Sequence, residues 1–434
     1  MTIFHPMKRA PWTVWALLAA LSAPAPGQAA TPDWDVIVVG AGLAGLAAAD
    51  ALPELRVLVL ERAAIPGGRA RTRSRDGIFY ELGALVPPSP EQVPLVQDLP
   101  TVQSPGRLGV ALGGKVFFGG RLDRLSSSLP AGTGVELADF GAGRITDHRT
   151  LSPTARSILE SAAALFSLSS LDETPTAVAR RSLRGLPGVA LAGGYAALVE
   201  SLSWHLEDRL LTQAEVTRVV PEARGVRVRW RRGGWEHESL ARAVIVATEA
   251  PAVAALIEDL SPDAAAGLAA VRSAAGITVA LGLRDLTWPP FTAIYVPGPG
   301  AHAVLRHPGP AQRGVTVLYM YYEDLAARDL AGEPDDAVLA DALRLLHVLG
   351  LGLTPVPDDS LVFGDLQRWD HALPNLRPGV PRPPWAARAR AGARIWVAGD
   401  HVGAPECDGG GAGAAIKSGR AAAAAARELL GSER

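Results

Sequence analysis

The sequence predicts an α/β protein. A Rossmann-like nucleotide-binding part, split along the chain, is interleaved with an α+β part built on an antiparallel sheet. Three observations predict this. "DVIVVGAGLAGLAAADAL", Asp35 to Leu52, places an apolar run, a glycine-rich turn and an Ala/Leu-rich stretch in succession. The strand–glycine–helix order returns near the other end, in "RIWVAGD" and "GAGAAIKSGRAAAAAARELL". Between them "TAIYV", "HAVLRH", "VTVLYMYY" and "DSLVFGDL" read as strands of an antiparallel sheet.

Each element has a local cause. Val36–Val39 is a short apolar run, the pattern of a fully buried strand. Gly40, Gly42 and Gly45 then spell G-x-G-x-x-G. The first allows a tight turn, the second lets backbone approach a pyrophosphate, and the third lets the helix pack on the strand. The helix N-terminus, around Ala44, offers free N–H groups and a positive dipole end to phosphate. The next strand, "RVLVLE", ends in Glu61, 21 residues after Gly40, where an acid meets a ribose hydroxyl. Strand, turn, helix and acid together predict a bound nucleotide.

Further along, "PGGRARTRSRDGIFYELGALV" is rich in turn residues and arginine, and "GVALGGKVFFGGRL" reads as a hairpin about Gly113-Gly114. Helical periodicity runs from about Thr154 to Arg184. Gly193-Gly194 opens a helix in "AGGYAALVESLSWHL", and "EVTRVV", "GVRVRWRR" and "RAVIVAT" are strand-like. "PDDAVLADALRLLHVLG" predicts a helix capped at Asp335 or Asp336 and stopped at Gly350. The expected division is residues 33–88, 188–262 and 390–434 for the nucleotide part, with 89–187 and 263–389 for a substrate part.

A net charge of −2 argues against a nucleic-acid partner held by a basic field. The lone Cys407 excludes an internal disulfide and a cysteine-rich metal site, and the histidines show no metal spacing. Only Lys8, Lys115 and Lys417 are lysines. Lys8-Arg9, the apolar "WTVWALLAALSA" and the small-residue "PAPGQAA" have the layout of a signal peptide over residues 1–30, cleaved near Ala29 or Ala30. That layout predicts an exported, periplasmic or secreted protein; the alternative is a cytoplasmic protein with a disordered extension. The apolar core is too short to span a bilayer, and no other segment is long and apolar enough for an integral membrane helix.

Three more elements narrow the nucleotide. "ERAAIPGGRARTR" brings Gly67-Gly68-Arg69 close after Glu61, with a charge for phosphate. "VTRVV…RAVIVAT" ends at Thr248. In "RIWVAGDHVGAPECDGGGAGAAIKSGRAAA", Asp400 leaves a strand and a glycine-rich turn enters a helix. A helix N-terminus there suits a flavin's pyrimidine edge and the charge that reduction creates. As a set these motifs resemble the flavin-containing amine oxidase superfamily, with its protoporphyrinogen oxidases, phytoene desaturases and renalase-like proteins. The resemblance covers most of residues 35–434 in motif order. It implies a GR2-type FAD-binding domain and a noncovalent FAD, because the covalent-flavin cysteine of monoamine oxidases precedes the final strand and Cys407 follows it. It implies cofactor contacts at Gly40, Gly42, Ala44, Gly45, Glu61, Arg62, Gly68, Arg69, Gly83, Ala84, Val216, Gly399, Asp400 and Ala414. Of these, Glu61 meets the adenosine ribose and Val216 the adenine through its backbone. Arg69 lies near the pyrophosphate, Gly83 and Ala84 lie near the isoalloxazine, and Asp400 meets the ribityl–pyrophosphate part.

The resemblance also implies a hydride taken by flavin N5 from a small amine or a hydrophobic substrate, passed on to oxygen or another acceptor. Many amine-oxidising members carry a lysine, holding a water near N5, on a substrate-domain strand. The matching stretch here, "SAAGITVALGL", holds none, and Thr278 is its nearest polar candidate. "RWDHALPNLRPG", Arg368 to Gly379, resembles instead the W-x-x-A-L-P…G segment of protoporphyrinogen oxidases. Trp369 is then a flavin neighbour or a core tryptophan at a domain junction. His371 is an acid–base group or a structural histidine. Tyr319 and Tyr321 share one strand face and either line a substrate cavity or pack the sheet. The alternatives to amine oxidation are dehydrogenation of a tetrapyrrole or polyene, and a non-catalytic binding protein on the same fold.

Overall fold

The computed structural model describes residues 32–86, 94–104, 106–122, 129–186, 189–309, 311–375, 390–392, 394–402 and 411–433. The expected leader and Cys407 lie outside the described residues.

Three separate stretches of chain build the first, eight-stranded sheet. Its middle is β1 (Trp34–Val39), parallel to β2 (Val57–Leu60) on one side and to β12 (Trp235–Val246) on the other. Beyond β2 lies β9 (Leu210–Leu211); β10 (Glu215–Glu222) and β11 (Gly225–Arg232) extend the far side antiparallel. β19 (Ile395–Val397) runs parallel to the end of β12, with β18 (Arg390–Gly392) beside it. The central strands are apolar throughout because helices and loops cover both faces; Val36, Ile37 and Val38 are fully buried.

The glycine turn is shaped by close backbone approach. Gly40 has φ +96°, and a Cβ on Gly45 would sit 1.9 Å from the Gly40 carbonyl oxygen. The helix that follows, Leu43–Asp50, is crossed by the last helix of the chain, Ala412–Ser432. At the crossing a Cβ on Gly419 would lie 2.0 Å from the Ala44 carbonyl oxygen. Leu46, Ala47, Ala422, Ala423 and Ala426 pack in one cluster around it. Small residues on both helices are the reason they approach so closely.

The second, seven-stranded sheet has the order β17-β13-β16-β15-β14-β6-β7. These are β6 (Leu108–Leu112), β7 (Lys115–Gly119), β13 (Arg272–Arg284), β14 (Ala293–Tyr295), β15 (Ala301–Arg306), β16 (Val315–Tyr322) and β17 (Leu361–Asn375). One face, with Ile277, Val279 and Leu281, packs on helix Asp335–Gly352 through Val338, Ala342 and Leu346. The opposite face, with Ala280, Tyr319 and Phe363, packs on Tyr80, Leu82 and helix Pro153–Ser167.

Four expectations need correction or extension. The sheet is not wholly antiparallel, since β6 joins β14 in parallel and brings in the Gly113-Gly114 hairpin. The helix from Asp335 has both aspartates in its first turn rather than at the cap, where they favour the positive dipole end, and it runs through Gly350 to Gly352. β17 continues past "DSLVFGDL" through the tryptophan segment to Asn375, with a bulge between Trp369 and Leu373. The arginine-rich stretch holds a hairpin, β3 (Thr72–Arg75) and β4 (Ile78–Glu81). Asp76 (φ +54°) and Gly77 (φ +76°) close it as a two-residue turn whose positive φ values suit the strand twist. Thr101–Gln103 and Val189–Leu191 form β5 and β8, a separate pair.

That hairpin caps a helix 114 residues away. The helix Gly194–Ser203 has no cap of its own, and Glu81 Oε1 accepts its Tyr195 N–H at 2.8 Å. Thr72 Oγ1 accepts the Ala196 N–H at 2.9 Å and also bonds the Glu81 carboxylate. Glu81 is only 3% exposed, and burial outweighs these bonds, pushing its carboxyl up to about 7.

Two outcomes follow from these contacts. Gly419→Ala should cost at least about 2 kcal/mol through overpacking, whereas Gly431→Ala, on an exposed turn of the same helix with open space around it, should be neutral or gain up to about 1 kcal/mol; thermal denaturation of the pair checks this. The Glu81 pKa is raised on folding, so its contribution is full below the unfolded value and is lost as pH rises through about 7. Stability should therefore fall by up to about 3 kcal/mol between about pH 5 and pH 8, and Glu81→Gln should flatten that slope in urea titrations.

Candidate active site

Glu61 sits at the end of β2 with both carboxylate oxygens engaged by backbone. Oε2 accepts the Ala41 N–H and Oε1 the Ala63 N–H, each at 2.7 Å. Each oxygen keeps a further lone pair, so the carboxylate is fixed in direction yet still able to accept from a diol. The chain at 211–214 runs alongside, with Ala214 N–H on the Glu61 carbonyl at 2.8 Å, and leads directly into Val216 on β10. Arg62 is exposed beside Glu61. The Gly67-Gly68 loop lies on the glycine turn: Gly67 N–H donates to the Ala41 carbonyl at 2.8 Å, and a Cβ on Gly68 would come 3.3 Å from Gly42 Cα. A Cβ on Gly42 would meet nothing within 4 Å.

Arg69 and Asp400, 331 positions apart, form a bidentate ion pair at 2.7 and 2.9 Å. Arg69 also donates to the Ala372 carbonyl on β17 at 2.7 Å. The Asp400 side chain is 4% exposed, so its charge is desolvated and depends on this partner. Gly399 (φ +152°) is held by Ser418 of the last helix, whose Oγ accepts its N–H at 2.9 Å. Ala414 is buried in the first turn of that helix. His401 is buried against Gly399, and burial holds its imidazole neutral, down to about 4, although Asp400 opposes this. Its Nε2 and the Thr248 Oγ1 are buried without a hydrogen-bond partner.

Residues 81–83 meet the second sheet through three aromatic side chains. Glu81 N–H donates to Tyr319 Oη at 3.3 Å, Trp369 Nε1–H donates to the Leu82 carbonyl at 2.8 Å, and Tyr321 Oη–H donates to the Gly83 carbonyl at 3.2 Å. Tyr319 Oη in turn lies 2.9 Å from His307 Nδ1, which burial keeps neutral, down to about 4. Ala84 N–H donates to the Arg69 carbonyl at 3.0 Å. Gly83 is squeezed there: a Cβ would be 2.0 Å from the Arg69 carbonyl oxygen and 3.4 Å from the Trp369 ring.

Of the three catalytic candidates, Thr278 is buried on β13, directly between Tyr321 of β16 and Gln367 of β17. Trp369 has its indole N–H committed to Leu82, and it packs with Leu168, Ala274 and Ala372. His371 Nδ1 is buried without a partner. Tyr319 and Tyr321 do share a face, but their hydroxyls hold backbone. Beside them Asp365 accepts both Arg73 (3.0 Å) and Tyr80 (2.8 Å), and Gln367 Oε1 accepts Arg73 at 3.2 Å. Sequence reasoning passed over Glu81, His401 and this arginine. Only Glu81 carried a signal, as a carboxylate inside the apolar "IFYELGALV".

The donor set suits a dinucleotide with a planar redox ring: a ribose-ready carboxylate, an open glycine cradle and unpartnered buried polar atoms at Thr248 and His401. Among the described residues no cluster fits a metal ion, and no helix is long and apolar enough to cross a membrane.

Comparison with known proteins agrees. The family described as flavin containing amine oxidoreductase matches residues 121–427, and the NAD(P)-binding Rossmann-like domain matches residues 38–99. Coproporphyrinogen III oxidase of Mycobacterium tuberculosis is 30% identical over 320 residues, which cover 66% of this chain and 67% of that protein. The chloroplastic prolycopene isomerase of Arabidopsis thaliana is 47% identical over 55 residues, 12% of this chain and 9% of that one. Among solved structures, cyclohexylamine oxidase from Brevibacterium oxydans superposes with a TM-score of 0.72 at 19% identity, covering 93% of this chain and all of that one. Wild-type putrescine oxidase bound to putrescine gives 0.67 at 18% identity, covering 92% and 99%. The chain belongs to the flavin-containing amine oxidoreductase family and is an FAD-dependent oxidoreductase.

Proposed function

We propose that this flavoenzyme removes a hydride from carbon in a hydrophobic, ring-rich substrate of the porphyrinogen type, rather than from a small amine. The observation that carries the reading is the buried, neutral Thr278 between Tyr321 and Gln367, on the strand where the amine-oxidising pattern has a lysine. The similarity to coproporphyrinogen III oxidase over two thirds of its length supports the same reading.

In this reading FAD is held without a covalent bond. Glu61 accepts from the adenosine ribose, Arg62 flanks it and the backbone at Val216 meets the adenine. Gly40, Gly42, Ala44, Gly45 and Gly68 line the pyrophosphate. Gly399, Asp400 and Ala414 face the ribityl chain and the far edge of the ring, and Gly83 and Ala84 lie against the isoalloxazine. The bound flavin supplies the two-electron acceptor. The chain binds and orients both partners. Arg69 pairs with the buried Asp400 carboxylate through two hydrogen bonds and holds it in place. The neutral His401 brings a polar edge to the ring without a second positive charge. Tyr321, Trp369 and Thr278 form an uncharged wall suited to an apolar substrate, with Gln367, bonded to Arg73, at its margin.

Acid precipitation should release the flavin into the supernatant. Anaerobic addition of a porphyrinogen should then bleach the flavin band, while cyclohexylamine and putrescine leave it unchanged; bleaching by the amines alone overturns the proposal. The absent lysine carries a second expectation. A cation beside the ring would stabilise the charge that develops as oxygen is reduced. Wild-type reoxidation by oxygen should be slow, and Thr278→Lys should accelerate it about tenfold or more in stopped-flow traces.

A further inference from the structure

Three consecutive residues of the Gly83 segment are held from outside by aromatic side chains of the second sheet, and this arrangement has a use. The Leu82 and Gly83 carbonyls are taken by Trp369 and Tyr321, at 2.8 and 3.2 Å. The donors come from positions 287 and 238 residues further along the chain. A strand edge needs no such partners when water is at hand; here both carbonyls are turned toward the sheet and their peptide planes are thereby set. The two donors pair with β13 residues two positions apart, on one face of that strand. Tyr321 pairs across β13 with Thr278, and Trp369 pairs with Gly276. The two anchors of the backbone segment thus flank one strand, β13, from either side.

We infer that Tyr321 and Trp369 are positioning residues that set the register between the flavin ring and the substrate wall. The inference rests on the reading that Gly83 and Ala84 lie against the isoalloxazine. The Arg69 carbonyl oxygen bounds Gly83, 2.0 Å from where a Cβ would stand, and the Trp369 ring lies within van der Waals reach of the same point at 3.4 Å. No side chain larger than hydrogen fits there, so the segment lies close on the Arg69 backbone with its peptide planes set by the bonds to Trp369 and Tyr321. Tyr321→Phe removes one anchor and leaves the packing; Trp369→Phe removes the other and opens room beside Gly83. The tyrosine hydroxyl and the indole N–H, both committed to carbonyls, act on the flavin through backbone.

The test uses FAD-loaded full-length protein and the variants Tyr321→Phe, Trp369→Phe and the pair together. The readouts are the visible circular dichroism of the bound flavin, its redox equilibrium with a reference dye, and the FAD dissociation constant from titration of apoprotein. We expect an altered flavin dichroism in each variant. The double variant should show a three- to tenfold change in the dye–flavin equilibrium constant. The FAD dissociation constant should move less than threefold, because the adenosine and pyrophosphate contacts are untouched. Tyr295→Phe is the control: that hydroxyl is buried on the same sheet without a partner, so its loss should be silent. A folded double variant with wild-type dichroism and redox equilibrium overturns the inference, as does an equal shift in Tyr295→Phe. Glu61→Ala separates the two readings. An unchanged FAD dissociation constant there means the cofactor site is misplaced, whereas a ten- to hundredfold loss with silent aromatic variants means that the positioning role alone has failed.

Discussion

The Arg69–Asp400 ion pair is the junction on which the rest of the site depends. Residue 69 follows the first nucleotide motif and residue 400 follows the last, so one pair of side chains closes the interrupted domain. Both terminal guanidinium nitrogens and both carboxylate oxygens are used, the geometry in which arginine cannot be replaced by lysine. Through the Ala372 carbonyl the same guanidinium reaches β17, and through its own carbonyl Arg69 receives Ala84. The loop after the glycine turn, the residue after the last strand and the second sheet therefore meet at one residue. Removing the guanidinium would leave the Asp400 carboxylate buried and uncompensated, which costs more than the pair contributes when intact.

The contrast with the outer sheet is instructive. Arg227, Arg229 and Arg231 on β11 face Glu222, Glu238 and Glu236 in a ladder of exposed pairs. Exposed pairs of that kind are worth about 0–1 kcal/mol each and weaken with salt. They cover an exposed sheet face with charge of both signs. Arginine does both jobs in a chain with three lysines, and burial alone decides which job matters.

Much of the architecture was legible because it is local. Apolar runs such as "VIVV" and "RVLVLE" are long and uniform enough to announce buried parallel strands, and the glycines at 40, 42 and 45 serve turns within ten residues of themselves. What stayed hidden depends on distant partners. Glu81 is a cap only because Gly194–Ser203 arrives with bare N–H groups, and nothing within ten residues of Glu81 says so. Tyr319 and Tyr321 looked like cavity lining or sheet filling, because strand periodicity reports which face a side chain takes and not what its hydroxyl finds there. The Asp76-Gly77 turn is a second signal, beside Glu81, that lay in plain view within the arginine-rich stretch and went unread. Trp369 was recognisable from its motif, while the destination of its N–H was not.

The crossing of the Leu43–Asp50 and Ala412–Ser432 helices has a consequence for the order in which the molecule comes into being. Ala44 and Gly419 touch backbone to side-chain position, yet they emerge from a ribosome almost a whole chain apart. At about 5–20 residues per second, the glycine turn waits roughly 20–80 seconds before its covering helix exists. Until then the face of the first helix that Ala422, Ala423 and Ala426 will cover stays bare, and β12 lacks β19 along its end. Through that interval the nascent protein carries the Leu43–Asp50 helix uncovered, and a chaperone would find it open.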